Sequence, residues 1–140
     1  MTDFLDTNIL VYAYDSHEKK KQEIARQILE AAILDETAAI SAQVLSEFFV
    51  IVTRKIPSPL SSKEAMQLLA IFRKMPVAEI DGDLVEAAAA AHQRHHLSFW
   101  DGLIVAAAGR LGCVRLLSED LQEGRQLDGL EVVNPFGRLA

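Results

Sequence analysis

Phe4-Leu5-Asp6-Thr7-Asn8 is the stretch that decides the fold. Two apolar residues run into a single acid. The chain beyond it, from Thr7 through Tyr14, is apolar on nearly all sides (Ile9, Leu10, Val11, Tyr12, Ala13). This pattern predicts a short buried strand over Thr2–Leu5 that turns at Asp6 directly into a short core helix. A carboxylate at the C-terminal end of a first strand lies where open α/β sheets collect their ligands. Taken alone, Asp6 is also an ordinary helix N-cap, with Thr7 and Asn8 as simple turn residues.

Outward from that stretch, strand-like and helix-like segments alternate. Asp15 and Glu18 have capping-box spacing, and the helix they open runs to about Leu34 on Ile24, Ile28, Leu29 and Ala32. Thr37–Ile40 is a second strand. Ser41 caps a helix from Ala42 to about Lys55, which Pro57 and Pro59 stop. Ser61 or Ser62 opens a fourth helix, to about Lys74, carrying Ala65, Leu68, Leu69 and Phe72. Met66 and Ile71 widen its apolar stripe enough to suggest a dimer or partner surface. Pro76 precedes a third strand, Val77–Ile80, and Asp81 or Asp83 caps a helix through the run Ala87–Ala91 to about His95. Ser98 opens the last helix and Gly112 ends it. Val114–Leu117 is a fourth strand, a loop rich in charge and glycine follows, and Leu130–Val133 is a fifth before Pro135. Alternating strands and helices imply a parallel sheet with right-handed crossovers, hence a three-layer α/β domain.

The 140 residues fit one domain spanning 1–140, and a composition of 50% apolar and 24% charged residues is that of a soluble globular chain. A single cysteine, Cys113, placed in the fourth-strand region, excludes an internal disulfide and offers no thiolate metal site. A reducing, cytoplasmic location is the expectation, with no signal peptide and no membrane span. The net charge of −6 argues against a basic nucleic-acid clamp. It argues little against a metal-dependent nuclease, whose acids would themselves carry several of those charges.

Three later acids stand beside Asp6 as candidates. Glu47 is the only charged residue between Ala42 and Val52, and an isolated carboxylate among apolar neighbours is costly to bury without a partner. Asp101 follows Phe99 and Trp100 and sits three residues after Ser98, so it also suits a capping box. Trp100 beside it reads as a core residue rather than a base-stacking platform. Asp120 follows the fourth strand in Ser118-Glu119-Asp120, at the sheet edge that Asp6 shares if the strands are parallel. Four carboxylates in one crevice repel each other unless a cation intervenes. Oxygen-only ligands select a hard ion such as Mg²⁺ or Mn²⁺, which suits phosphodiester hydrolysis. His92, His95 and His96 crowd a helix end and form no rival site, and Lys19–Lys21 read as a solvated face, with phosphate binding as the open alternative.

Leu5-Asp6-Thr7-Asn8-Ile9-Leu10, Ser46-Glu47-Phe48, Trp100-Asp101-Gly102 and Ser118-Glu119-Asp120 together resemble the PIN-domain nucleases, most closely the short bacterial toxins of the VapC type. The resemblance spans essentially the whole chain. It implies a five-stranded parallel sheet in the order 3-2-1-4-5 flanked by about seven helices, and Mg²⁺- or Mn²⁺-dependent endoribonuclease activity. It implies that Asp6, Glu47, Asp101 and Asp120 are the catalytic, metal-holding acids, supported through hydrogen bonds by Asn8 and Ser118. It also implies a homodimer, and a small antitoxin that covers the crevice.

Two other enzyme classes place an acid after the first strand. A haloacid-dehalogenase-type phosphatase requires a second Asp two residues on, where this chain has Asn8. A response-regulator receiver requires a Lys after the last strand, and none follows Leu130–Val133. No glycine-rich phosphate loop is present, which removes nucleoside-triphosphate chemistry. A non-catalytic interaction module on the same fold is the remaining alternative.

Overall fold

A computed structural model describes residues 3–137. The first strand, β1 (Asp3–Leu5), leads into α1 (Thr7–Tyr12) and α2 (Lys19–Leu34). Then come β2 (Ala38–Ser41), α3 (Ala42–Arg54), α4 (Ser62–Phe72) and β3 (Val77–Ala78). The chain continues through α5 (Gly82–His95), α6 (Phe99–Arg110), β4 (Arg115–Leu117), β5 (Gln126–Leu127) and β6 (Leu130–Val133). Thr2, the expected start of the first strand, lies outside the described residues, as do the ends of the 1–140 span.

The sheet runs β3-β2-β1-β4-β6-β5. Its first five members in that order are parallel, which is the expected 3-2-1-4-5 arrangement with β6 as the expected fifth strand. The sheet is nevertheless mixed and six-stranded, because β5 joins antiparallel to β6 at the outer edge. A signal for this hairpin stands in the sequence. Leu127 pairs with Leu130 across Asp128-Gly129, and both turn residues have positive φ (57° and 84°). Asp-Gly between apolar residues is the usual chemistry of a two-residue hairpin turn. Six helices accompany the sheet among the described residues, one fewer than the resemblance implied.

Every residue of β2 is buried. Side chains alternate between the two faces of a strand, so both faces of the sheet are covered, as a parallel sheet requires. Four helix starts follow the local chemistry of their caps: Ser41, Ser61, Asp81 and Ser98 each accept from the backbone N–H three residues on. Ser61 and Glu64 complete a reciprocal capping box. The Asp15–Glu18 box does not form. Asp15 instead accepts from the His17 N–H in the turn, and Glu18, at the N-cap of α2, makes no side-chain cap bond. Cys113 precedes β4 rather than lying in it. Burial pushes its thiol up to about 11, leaving it an inert core group.

The closest helix packing joins α5 to α6. A Cβ on Gly102 would stand 2.6 Å from the Ala88 carbonyl oxygen, so only glycine fits there. Opposite it, Ala88 and Ala91 present small buried side chains from the alanine run. This contact sets the start of α6, where Asp101 lies.

Candidate active site

Two parallel strands carry the site. Leu5 of β1 and Leu117 of β4 are register partners, and the Asp6 N–H donates to the Leu117 carbonyl at 3.0 Å. The loops leaving both strands therefore start at the same sheet edge, and residues over a hundred positions apart meet there. Ser118 Oγ donates to Asp6 Oδ2 at 2.6 Å and accepts from the Asp120 N–H at 3.1 Å. Asn8 completes the bridge, donating through Nδ2 to Asp120 Oδ2 at 3.1 Å and accepting from the Glu119 N–H at 3.3 Å.

Asp6 is also the N-cap of α1, its Oδ1 accepting from the Thr7 N–H at 2.8 Å. The capping role and the place in the crevice coexist in one side chain. Glu47 arrives from α3 and is held by Thr7, whose hydroxyl donates to Oε1 at 2.8 Å. Asp101 arrives in the first turn of α6, its N–H capped by Ser98. Asp6, Glu47, Asp101 and Asp120 together line a crevice of about 300 Å³, alongside Thr7, Asn8, Tyr12, Gln43 and Trp100.

Burial raises the Asp6 carboxyl to about 6, against an ordinary 3.8. The bonds from Ser118 and Thr7 pull it down, and the charges of Asp120 and Asp101 push it up. Asp101 is also raised, first by burial and then by Asp120, against a lowering bond from Ser98. Acids thus face acids, with no cation among the groups acting on either. Among the described residues, no three His, Cys, Asp or Glu side chains converge tightly enough to hold an ion as they stand. The donor set, carboxylate oxygens with amide and hydroxyl support, fits a hard divalent ion.

Several residues at this site escape a reading of the sequence. Glu119 is held by Tyr12 and Lys21, accepting from Tyr12 Oη at 2.6 Å and from Lys21 Nζ at 2.7 Å. Lys21 is therefore not simply part of a solvated face; it anchors the loop that carries Asp120 and lies 4.8 Å from the Tyr12 ring centre. Nothing local marks this trio, because Glu119 lies about a hundred residues from both Tyr12 and Lys21. Trp100 corrects the core reading: it is 62% exposed at the crevice rim. Its apolar neighbours in sequence concealed that. Gln43, buried on α3, donates through Nε2 to the Trp100 carbonyl at 3.1 Å and ties the start of α6 to α3.

The PIN-domain family model matches residues 4–125. The chain belongs to the PIN-domain family. Solved structures agree on this PIN fold. A toxin–antitoxin complex from Klebsiella pneumoniae superposes with a TM-score of 0.71 at 22% identity, over 96% of this chain and 98% of that one. VapBC2 from Rickettsia felis, bound to a DNA fragment from its promoter, gives 0.65 at 21% identity over 94% and 97%. VapC20 from Mycobacterium tuberculosis, described as a sarcin-ricin loop cleaving toxin, gives 0.65 at 19% identity over 85% and 90%. No match to the PIN chain is found among curated proteins. The PIN assignment also separates the chain from the dehalogenase-type phosphatases and receivers. No helix among the described residues is long and apolar enough to cross a membrane.

Proposed function

We propose that this PIN domain is a metal-dependent endoribonuclease that hydrolyses RNA phosphodiester bonds, and that it is the toxin of a type II toxin–antitoxin pair. One observation carries the reading: a buried acid, Asp6, stands in a crevice lined by three more acids, its carboxyl raised first by burial and further by the charges of Asp120 and Asp101. A folded chain retains such uncompensated charge where a cation completes it.

Asp6, Glu47, Asp101 and Asp120 would hold Mg²⁺ or Mn²⁺. When bound, such an ion offsets the carboxylate charge, favours ionisation of water and stabilises charge developing on a phosphate. The chain's own part is orientation. Ser118 and the Thr7 N–H fix both oxygens of Asp6, Asn8 aims Asp120, and the Thr7 hydroxyl aims Glu47. Asn8 and Ser118 thereby support the site, and Thr7 joins them. The test is cleavage of structured RNA with Mg²⁺ or Mn²⁺ by the wild type, Asp6→Asn and Asp101→Asn. Loss of cleavage in both variants and on chelation is expected; activity that survives either treatment overturns the assignment.

The antitoxin partner is supported by the complexes among the structural neighbours, and a cytoplasmic location accords with an RNA substrate. A homodimer is supported by Met66 and Ile71, which stand 63% and 40% exposed on α4.

A further inference from the structure

Trp100 is the only tryptophan in the chain, and it is 62% exposed. A large aromatic side chain left in water forgoes the burial that usually justifies it. Its position is nonetheless fixed. It is the second residue of α6, and its carbonyl accepts from the buried amide of Gln43. The Phe99 ring meets the indole edge-on, with centroids 5.2 Å apart and planes at 83°. The rest of the indole stays open beside Asp101, on the rim of the crevice that all four acids line.

That crevice has little electrostatic attraction for a polyanion. Without a bound cation its acids repel phosphates, and the whole chain carries −6. Counterion release, the usual source of nucleic-acid affinity, is weak here. Stacking on an aromatic face is uncharged and tolerant of sequence, and it selects bases that are free of a duplex. We propose that Trp100 is a nucleobase-stacking platform, taking one unstacked base of single-stranded RNA next to the phosphodiester presented to the acids. The proposal rests on the ribonuclease reading for the identity of its ligand.

The single indole reports on itself. The test titrates Asp6→Asn protein, chosen to bind without cleaving, with an RNA oligonucleotide about 12 nucleotides long. Indole emission is followed together with the anisotropy of end-labelled RNA. Saturable quenching is expected with RNA. An abasic oligomer of equal length and charge should not quench. Trp100→Ala in the same background should weaken binding roughly tenfold, and Trp100→Phe should keep most of it. The exposed position predicts thermal unfolding midpoints near the parent value for both variants. Binding with unchanged emission overturns the platform, as does quenching by the abasic oligomer or an unweakened Trp100→Ala. Absence of any RNA binding also overturns it and assigns the indole to a protein contact. Quenching without any cleavage by the wild type sinks the nuclease reading and leaves the platform standing. Cleavage by Trp100→Ala with KM unchanged does the reverse.

Discussion

Asp6 holds a helix start and faces three other acids, and the two roles make opposite demands. A cap is best served by a charged or strongly accepting oxygen, whereas burial beside acids favours the neutral form. The second wins, and the carboxyl titrates at about 6 rather than 3.8. Between those values the folded chain keeps a proton that the unfolded chain has released. The contribution of Asp6 to stability is therefore full below about pH 4 and lost as the pH rises through 6. Asp6→Asn retains a cap acceptor without the charge. It is expected to stabilise the ion-free protein above pH 6 by on the order of 1–3 kcal/mol and to change it little near pH 4. Denaturant melts across that range check this, and a difference that does not vary with pH refutes it. The same proton competes with a cation. Mn²⁺ affinity measured by calorimetry is expected to fall about tenfold for each pH unit below 6.

At the scale of the element, α6 contains its own controlled comparison. Gly102 and Gly109 lie on one helix, but a Cβ at Gly102 meets the backbone of Ala88 and His92, while nothing lies within 4 Å at Gly109. Backbone cannot swing aside. Gly102→Ala is expected to cost about 1–3 kcal/mol by forcing α5 and α6 apart, and to weaken Mn²⁺ binding by moving Asp101. Gly109→Ala should leave Mn²⁺ binding intact and add roughly 0.5–1 kcal/mol through helix propensity. Chemical denaturation of the pair, with calorimetry, separates these effects, and equal outcomes at the two glycines contradict the packing account. The elements themselves were largely legible, because the features that define them are local. Serine and aspartate caps, alanine runs and short apolar stretches act within a few residues of themselves. The Asp128-Gly129 turn is equally local. The Asp15–Glu18 box was a local signal that misled, because Asp15 bonds to the nearer His17 N–H instead.

At the scale of the molecule, what the sequence leaves hidden is who meets whom across long separations. The acids were legible as residue types in a family order. The hydroxyl of Thr7 on Glu47, the Lys21–Tyr12–Glu119 group and the exposure of Trp100 were not, since each depends on how separate elements pack. The wide apolar stripe on α4 is a feature of this same scale. If Met66 and Ile71 lie in a dimer interface, Met66→Glu combined with Ile71→Glu should convert a dimer to a monomer in light scattering. A wild type that is already monomeric ends that reading.

The hydrogen bond from Ser118 to Asp6 joins residues 112 positions apart, and the Asn8–Asp120 bond spans the same distance. Loop closure of that length comes late in folding, after the local helices and the early strand pairs. During synthesis, Asp6 leaves the ribosome long before Ser118, Asp120 and β4 exist to receive it. The acidic crevice therefore cannot assemble on a half-made chain. A growing polypeptide is without the site until β4 and the loop after it have been made, so any activity the site confers begins only then.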